Sequence, residues 1–245
     1  MGRLETSEEA KVILIYHLVG TAMEVFKTSV GSWVYPEPSL FRIGGVPLFS
    51  GFMYACIGSY ICRCWRLFDF RFSNHPHRLS LIALSIAIYV NFFSHHYVMD
   101  LRWLLFAWAA WLLLRTRIYF RVWTRHRSMP LLLGLVLVAL FIWFTENIGT
   151  FTKTWLYPSQ RHGWSMVAID KLGSWFLLLI ISYTLVSLIN RPKRIETRGE
   201  EMLLIAHPER EAARSQPGSP PSAETQLEGW KSIFGALMIS LISLP

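Results

Sequence analysis

Two glutamates begin the same short pattern of residues, at positions that lie 122 residues apart. In EVFKTSVGSWVYP, Glu24 is followed by Trp after nine residues, by Tyr after eleven and by Pro after twelve. ENIGTFTKTWLYP repeats this spacing from Glu146. Two carboxylates that face one another can serve a substrate as acid and base. The pattern therefore predicts an acid/base pair, and its aromatic members are candidates for substrate binding: Trp33, Tyr35, Trp155 and Tyr157.

A second group of polar residues lies in NFFSHHYVMD, residues 91–100. His96 and Asp100 are four positions apart, so they would share one helix face and suit either a metal pair or a hydrogen bond. Together with the glutamates and their polar neighbours, this group supplies the candidates for catalysis: Glu24, His95, His96, Asp100, Glu146, Asn147 and Lys171. Asn91 is a further candidate for substrate binding.

These residue types are compatible with three kinds of function. With a divalent metal as cofactor, histidine and carboxylate side chains would bind the ion, and the ion would polarise water. The chain contains no H-E-x-x-H motif. Without a metal, Glu24 and Glu146 would transfer protons to and from an apolar isoprenoid or another lipid. In a transporter, the same groups would bind a solute or protons. The intramembrane enzyme is the leading hypothesis, and a small-solute or proton-coupled transporter is the alternative.

The elements that position these residues are predicted to be membrane-spanning helices. Of the 245 residues, 53% are hydrophobic and 16% are charged, whereas soluble domains have about 25% charged residues. Apolar runs near twenty residues long predict an all-α bundle of six spans. The predicted spans are 11–30, 43–61, 79–99, 102–120, 129–151 and 165–189. The repeated pattern follows the first and fifth spans, which suggests a parallel internal duplication.

Charge predicts the orientation of the bundle. Basic residues concentrate in the links after the second and fourth spans and after the sixth, so the positive-inside rule places both termini in the cytoplasm. This clustering also argues against a nucleic-acid partner, despite the net charge of +8. The candidate residues then share the outer halves of four spans. Because an ionisable group within a span costs about 2.5–3.5 kcal/mol, we expect a polar pocket that opens outward.

Composition divides the rest of the chain. Residues 1–10 are predicted to be a cytoplasmic N-terminus, and residues 11–190 the transmembrane domain. Residues 191–228 are charged and rich in Pro and Ser, which predicts a disordered cytoplasmic linker. Residues 229–245 place their apolar side chains on one helical face, which predicts an amphipathic or membrane-associated helix.

Several blocks of the sequence resemble one family: HLVGTAMEVFKTSVGSWVYPE, VPLFSGFMYACIGSY, NFFSHHYVMD, MPLLLGLVLVALFIWFTENIGTF and W-x-YP-x-Q. They are similar to the YoaT-like family of bacterial integral membrane proteins, over about residues 11–189. The resemblance implies a multi-pass protein of the bacterial inner membrane and carries no established activity. ENIGTF followed by W-x-Y is also similar to membrane carotenoid hydratases and heterodimer-type lycopene cyclases, which use intramembrane carboxylates. This chain lacks their Pro-x-Glu-Glu stretch.

Overall fold

Six α-helices form most of the chain that the computed structural model describes, which comprises residues 7–123 and 125–195. Residues 1–6 of the predicted N-terminus 1–10, residues 196–228 of the predicted linker 191–228, and the whole predicted helix 229–245 lie outside the described residues. The helices are α1 (Ser7–Ser29), α2 (Phe49–Leu67), α3 (Arg78–Ser94), α4 (Arg102–Leu113), α5 (Leu131–Phe151) and α6 (Asp170–Ile189). A single 3-10 turn, Pro158–Gln160, precedes α6.

The all-α prediction was wrong in one respect, because the described residues also contain β-strands. These are β1 (Arg42–Ile43), β2 (Val46–Pro47), β3 (Arg71–Ser73), β4 (Arg117–Val122), β5 (Arg125–Pro130) and β6 (Lys193–Arg194). β1 and β2 form a hairpin, and the other four form a sheet in the order β5-β4-β3-β6. The arginine-rich links therefore pair with each other as strands. Their apolar residues explain why, since Phe72 and Tyr119 are fully buried against the helices.

Several predicted spans end at different positions in the structure. The predicted fourth span reached residue 120, but α4 ends at Leu113 because the chain from Arg117 pairs with β3 and β5. The predicted third span reached residue 99, whereas α3 ends at Ser94. α2 begins six residues later than predicted, because Gly44 and Gly45 adopt positive φ in the β1–β2 hairpin. The predicted sixth span began at residue 165, whereas α6 begins at Asp170.

The surface of the helices is that of a membrane protein. α5 and α6 are long and apolar enough to cross a membrane, and α3 and α4 are shorter apolar helices. With 12 residues, α4 is about 18 Å long, less than the hydrocarbon core of a bilayer. Large apolar side chains are exposed on α1 to α5, and such a surface favours lipid over water. They include Ile86, Val90, Trp103, Leu104, Trp111, Leu137, Phe141, Phe144 and Ile148.

The two ends of the bundle differ. One end, the sheet end, carries β3–β6. The other, the glutamate end, carries the loops 30–48, 95–101 and 152–169. At both ends, backbone pairing joins residues that are 122 positions apart. Val34 pairs antiparallel with Leu156, and β3 pairs parallel with β6 in the register Arg71 to Lys193. α1–α2 and α5–α6 also coincide at this offset to within about two residues.

Candidate functional site

Glu24 is buried at the glutamate end, with 4% of its surface exposed. Its Oε2 accepts hydrogen bonds from Trp33 Nε1 (2.8 Å) and from the Tyr35 hydroxyl (2.7 Å). Its Oε1 accepts from the hydroxyl of Tyr54 on α2 (2.8 Å). Two of these donors belong to the repeated pattern, and the loop after α1 carries them back over the end of the helix. Three donors around one carboxylate offset much of the cost of burying it.

Glu146 occupies the corresponding position on α5 and is 3% exposed. The hydroxyl of Tyr157 donates to its Oε1, as Tyr35 donates to Glu24. Trp175 on α6 donates from Nε1 to its Oε2 (2.7 Å). Each glutamate therefore accepts a hydrogen bond from the tyrosine eleven residues later in the chain. Each also accepts one from an aromatic residue of the following helix. A carboxylate has about four acceptor positions, so two of those on Glu146 remain free of these donors.

The two helices that carry the glutamates also end in the same way. Gly31 and Lys153, which are equivalent at the 122-residue offset, both have positive φ, of 74° and 62°. Ser32 N donates to Lys27 O (2.9 Å), and Thr154 N donates to Gly149 O (3.0 Å). The left-handed backbone conformation at these two residues ends each helix and turns the two following loops toward each other. They meet at the bridge between Val34 and Leu156, which brings the two aromatic patterns side by side.

Aromatic contacts link the two carboxylate sites. The rings of Trp33 and Tyr157 meet edge to face, with centroids 6.1 Å apart. Lys171 Nζ lies 4.5 Å from the centroid of Tyr157 and 5.9 Å from that of Trp33. Burial raises the pKa of Tyr157, and the neighbouring Glu146 raises it further. Burial and Glu24 raise the pKa of Tyr35 in the same way. Both tyrosines therefore stay protonated and serve as donors.

The two histidines contact a lysine of α1. Lys27 is 4% exposed, and its Nζ lies 2.7 Å from His96 Nε2 and 3.3 Å from His95 Nε2. The Nδ1 of His95 is 2.9 Å from the carbonyl of Asn91. An ammonium has no lone pair, so it must donate to both imidazoles, and a proton on Nδ1 of His95 suits both of its contacts. Lys27 also lies over the ring of Phe92, 4.2 Å from its centroid.

Asp100 forms a separate polar group with Asn91 and Arg102. Asn91 Nδ2 donates to Asp100 Oδ1 (3.1 Å), and Arg102 lies 3.2 Å from Oδ2. Asn91 Oδ1 also accepts from Leu101 N. Desolvation opposes ionisation of Asp100, but hydrogen bonds from Asn91 and Arg102 leave its pKa below the usual value. These contacts fix the turn between α3 and α4, so Asn91 is bonded within that turn.

Two further predicted residues hold the loop before α6. Asn147 Nδ2 donates to Trp143 O, and its Oδ1 accepts from Val167 N (2.9 Å). Trp155 packs on Gly149, where an added Cβ would lie 2.4 Å from the ring. In contrast to Trp33, which donates to a glutamate, Trp155 fills space between the loop and α5. The two copies of the pattern thus use their tryptophans differently.

An apolar cavity of about 40 Å³ lies below the carboxylates. Tyr54 and Trp175, the donors from α2 and α6, form part of its wall. The other side chains in its wall are mostly aliphatic or aromatic, and they include Tyr16, Met23, Tyr89, Ile142 and Leu178. The cavity therefore has an apolar body, and two of its walls hydrogen-bond directly to buried carboxylates.

Metal-binding geometry is not found among the described residues, where no three His, Cys, Asp or Glu side chains converge. The histidines that could have supplied ligands contact Lys27 through Nε2 instead. Asp100, the predicted partner of His96, bonds to Asn91 and Arg102. The side chains present therefore do not fit the divalent metal of the first hypothesis.

Sequence comparison places the chain in a family. A family model described as "Protein of unknown function (DUF817)" matches residues 1–183. The chain is also 42% identical over 199 residues to the uncharacterized protein YoaT of Bacillus subtilis strain 168, and the alignment covers 81% of this chain and 75% of YoaT. The chain belongs to the DUF817 family. The predicted YoaT-like resemblance is confirmed.

Two solved structures share the fold of this DUF817 protein. Both are of MvINS, an Insig homolog from Mycobacterium vanbaalenii, one of them as a cross-linked trimer. In each case the TM-score is 0.56 at 14% sequence identity, and the match covers 79% of this chain and 100% of the other. At this identity the likeness shows the backbone arrangement alone.

Sequence reasoning missed three residues of the site in this DUF817 protein. Tyr54 and Trp175 lie on α2 and α6, outside the repeated pattern, and reach the glutamates only through helix packing. Trp175 is one turn beyond Lys171, which was a usable signal. Lys27 was visible beside Glu24, but its contact with the histidines spans 68 and 69 residues of sequence. The pattern also contains a fifth match, Thr28 with Thr150.

Proposed function

We propose that this chain is an integral membrane enzyme in which Glu24 and Glu146 perform acid/base chemistry on an apolar lipid or isoprenoid. The observation that carries the proposal is the double role of Tyr54 and Trp175. Each lines the apolar cavity and donates a hydrogen bond to one carboxylate. The cavity of about 40 Å³ has room for only part of such a molecule. A segment that enters it would contact Tyr54 and Trp175 and lie one side chain away from each glutamate.

Differences in hydrogen bonding assign different roles to the glutamates. Glu24 accepts three hydrogen bonds and is the more firmly fixed of the two. Glu146 accepts two and retains acceptor positions for a proton in transit. The step we propose is isomerisation of a double bond. Glu146 in its acid form protonates one alkene carbon, and the cation then loses a proton from a neighbouring carbon to the same carboxylate. No other reactant is consumed.

The aromatic walls of the cavity favour such a step. Tyr16, Tyr54, Tyr89 and Trp175 present ring surfaces to the cavity. A carbocation is attracted to the face of an aromatic ring, by about 2 kcal/mol or more in a desolvated site. Together these groups would lower the energy of a cationic intermediate more than that of a neutral alkene.

The proposed orientation places the glutamate end outside and both termini in the cytoplasm of a bacterial inner membrane. Its support is the basic sheet end, to which Arg117, Arg125 and Arg127 contribute exposed side chains. We also propose that α1–α2 and α5–α6 arose by a parallel duplication. Its support is the 122-residue offset shared by the glutamates, the helix ends and the backbone pairs.

Mass spectrometry of the lipids that co-purify with the protein tests the enzyme proposal. Glu146→Gln keeps the size of the side chain and its capacity to accept hydrogen bonds, but it cannot carry the proton. We expect the variant to retain a substrate lipid that the wild type holds partly as its isomer. Glu37→Gln, on an exposed loop residue at the same end, is the matched control. Identical lipid mixtures from all three proteins would contradict the proposal.

A proton-coupled transporter is a second candidate, favoured by polar pairs in the half of the bundle toward the sheet. Tyr16 donates to Ser182 O (2.7 Å), Ser85 to Thr184 Oγ1 (2.9 Å), and His75 Nε2 lies 2.7 Å from the Tyr183 hydroxyl. These three pairs place polar side chains on the side of the apolar cavity that faces the sheet end. In sealed proteoliposomes, a transporter would produce a proton flux that a Glu146→Gln variant lacks. The enzyme would produce none.

A further inference from the structure

We propose that Lys27, His96 and Lys171 bind the phosphate head of an isoprenoid or lipid whose chain extends toward the apolar cavity. This inference rests on the proposed function and specifies its substrate class. The three residues come from α1, from the turn after α3 and from α6. The metal hypothesis treated the histidines as partners of carboxylates, but the structure places them against a cation.

Helix geometry places this basic cluster directly above the cavity. Lys27 lies one turn beyond Met23, which lines the cavity, and Lys171 lies one turn before Trp175, which also lines it. Residues four apart share a helix face. On α3, Tyr89 lines the cavity and contacts Phe93, whose ring contacts Phe26 of α1. His96 follows one turn later. Three elements thus lead from the apolar wall to a basic side chain.

Acidic residues lie near the cluster without forming an ion pair with it, and Glu146 and Asp170 attract Lys171. Among the residues that the structure describes, no carboxylate lies within salt-bridge distance of Lys27 or Lys171. Glu24 accepts hydrogen bonds from three aromatic donors, and Asp100 bonds to Arg102 and Asn91. A buried ammonium with only imidazole nitrogens as polar partners is costly, and an anion would offset that cost.

The available donors suit an oxyanion. Because Nε2 of His96 faces Lys27, its Nδ1 carries the proton in the neutral ring, and His96 is exposed. Lys171 Nζ lies over the faces of Tyr157 and Trp33 and has no hydrogen bond within residues 7–123 and 125–195, so its N–H groups remain available there. Two ammonium groups and one imidazole N–H match the several oxygens of a phosphate better than the two of a carboxylate. Desolvation and then repulsion from Lys27, His95 and Lys171 lower the pKa of His96, and a bound anion would reverse that repulsion.

Three probes separate the head from the chain: farnesyl phosphate, farnesol and inorganic phosphate, each added to the full-length protein in an uncharged detergent. We expect farnesyl phosphate to bind about tenfold or more tightly than farnesol, the effect of a charge-assisted hydrogen bond. Equal affinities would overturn the inference but leave the proposed function intact. If neither farnesyl compound binds, both fail. If inorganic phosphate binds as tightly as farnesyl phosphate, the anion site stands but its lipid ligand and the proposed function fail.

Variants assign the effect to the cluster. Lys27→Met keeps the length of the side chain and should remove most of the preference for farnesyl phosphate over farnesol. Lys153→Met makes the same change at an exposed position of the glutamate end and should leave the preference unchanged. Because Lys27 is buried, the exposed His96→Gln provides a second test that does not disturb packing, with a reduction of a few-fold expected. Equal preferences in all four proteins would overturn the inference.

Discussion

Removing the hydroxyl of Tyr157 should destabilise the protein more than removing that of Tyr35. Both hydroxyls donate to a buried carboxylate. Leaving a buried acceptor without its donor costs about 1–3 kcal/mol of the free energy of unfolding. Tyr35→Phe leaves Glu24 with two donors, Trp33 and Tyr54, and should cost close to the lower value. Tyr157→Phe leaves Glu146 with Trp175 alone and should cost close to the upper value.

A double-mutant cycle isolates this interaction from general packing. The free energy of unfolding is measured by denaturant titration in detergent for Tyr157→Phe, Glu146→Gln and the double variant. Because the two side chains touch, we expect a coupling energy of about 1–3 kcal/mol. The same cycle between Tyr157→Phe and Glu24→Gln is the control and should give a smaller coupling, since no hydrogen bond joins that pair. Equal couplings in the two cycles would refute the assignment of Tyr157 to Glu146.

Three further predictions concern packing, charge and topology. Gly149→Ala should cost about 1–3 kcal/mol by thermal unfolding, because its Cβ would overlap the Trp155 ring, whereas Gly163→Ala meets no atom within 4 Å and should be nearly neutral. Contacts with His126, Lys193 and Arg71 hold the pKa of Asp69 below its usual value. The ionised Asp69 therefore stabilises the folded protein above the unfolded-state pKa, and this stabilisation is lost as pH falls toward the folded-state pKa. Asp69→Asn should therefore flatten the decline in stability below about pH 4, and an unchanged slope would contradict this cause. Reporter fusions at Asn74 and Arg125 should behave as cytoplasmic and one at Pro158 as external, and a reversal at either arginine-rich link would contradict the proposed orientation.

The sequence indicated the glutamate sites because their partners lie close along the chain. Tyr35 and Tyr157 are eleven residues from their glutamates, so a fixed spacing recorded the contact. It did not indicate Tyr54 or Trp175, whose contacts depend on how α2 and α6 pack. At the 122-residue offset these positions hold Phe176 and Met53, so the repeat itself conceals them. The second donor to each glutamate thus arises from different positions in the two units.

The sheet shows why the basic links were misinterpreted. Arginines between spans predict a cytoplasmic loop. The β-branched and aromatic residues of RIYFRV favour a strand instead. Ile118 and Tyr119 are buried, while Arg117 remains exposed. The pairing of β3 with β6 joins segments 122 residues apart, and no local pattern encodes such a contact. Helix existence was therefore predictable, but the ends of α2, α3 and α4 depended on this unrecognised pairing and on glycine turns.

The central claim is that Glu146 exchanges a proton with an apolar lipid, and deuterium incorporation tests it most directly. The purified protein with its co-purified lipid is incubated in D₂O, and the extracted lipid is analysed by mass spectrometry. The proposed mechanism predicts deuterium at a carbon position, because the proton that Glu146 delivers equilibrates with solvent before each step. Glu146→Gln should abolish this incorporation, and Glu37→Gln should preserve it. A lipid that gains no carbon-bound deuterium from the wild-type protein, or gains it equally from the Glu146→Gln variant, would contradict the claim.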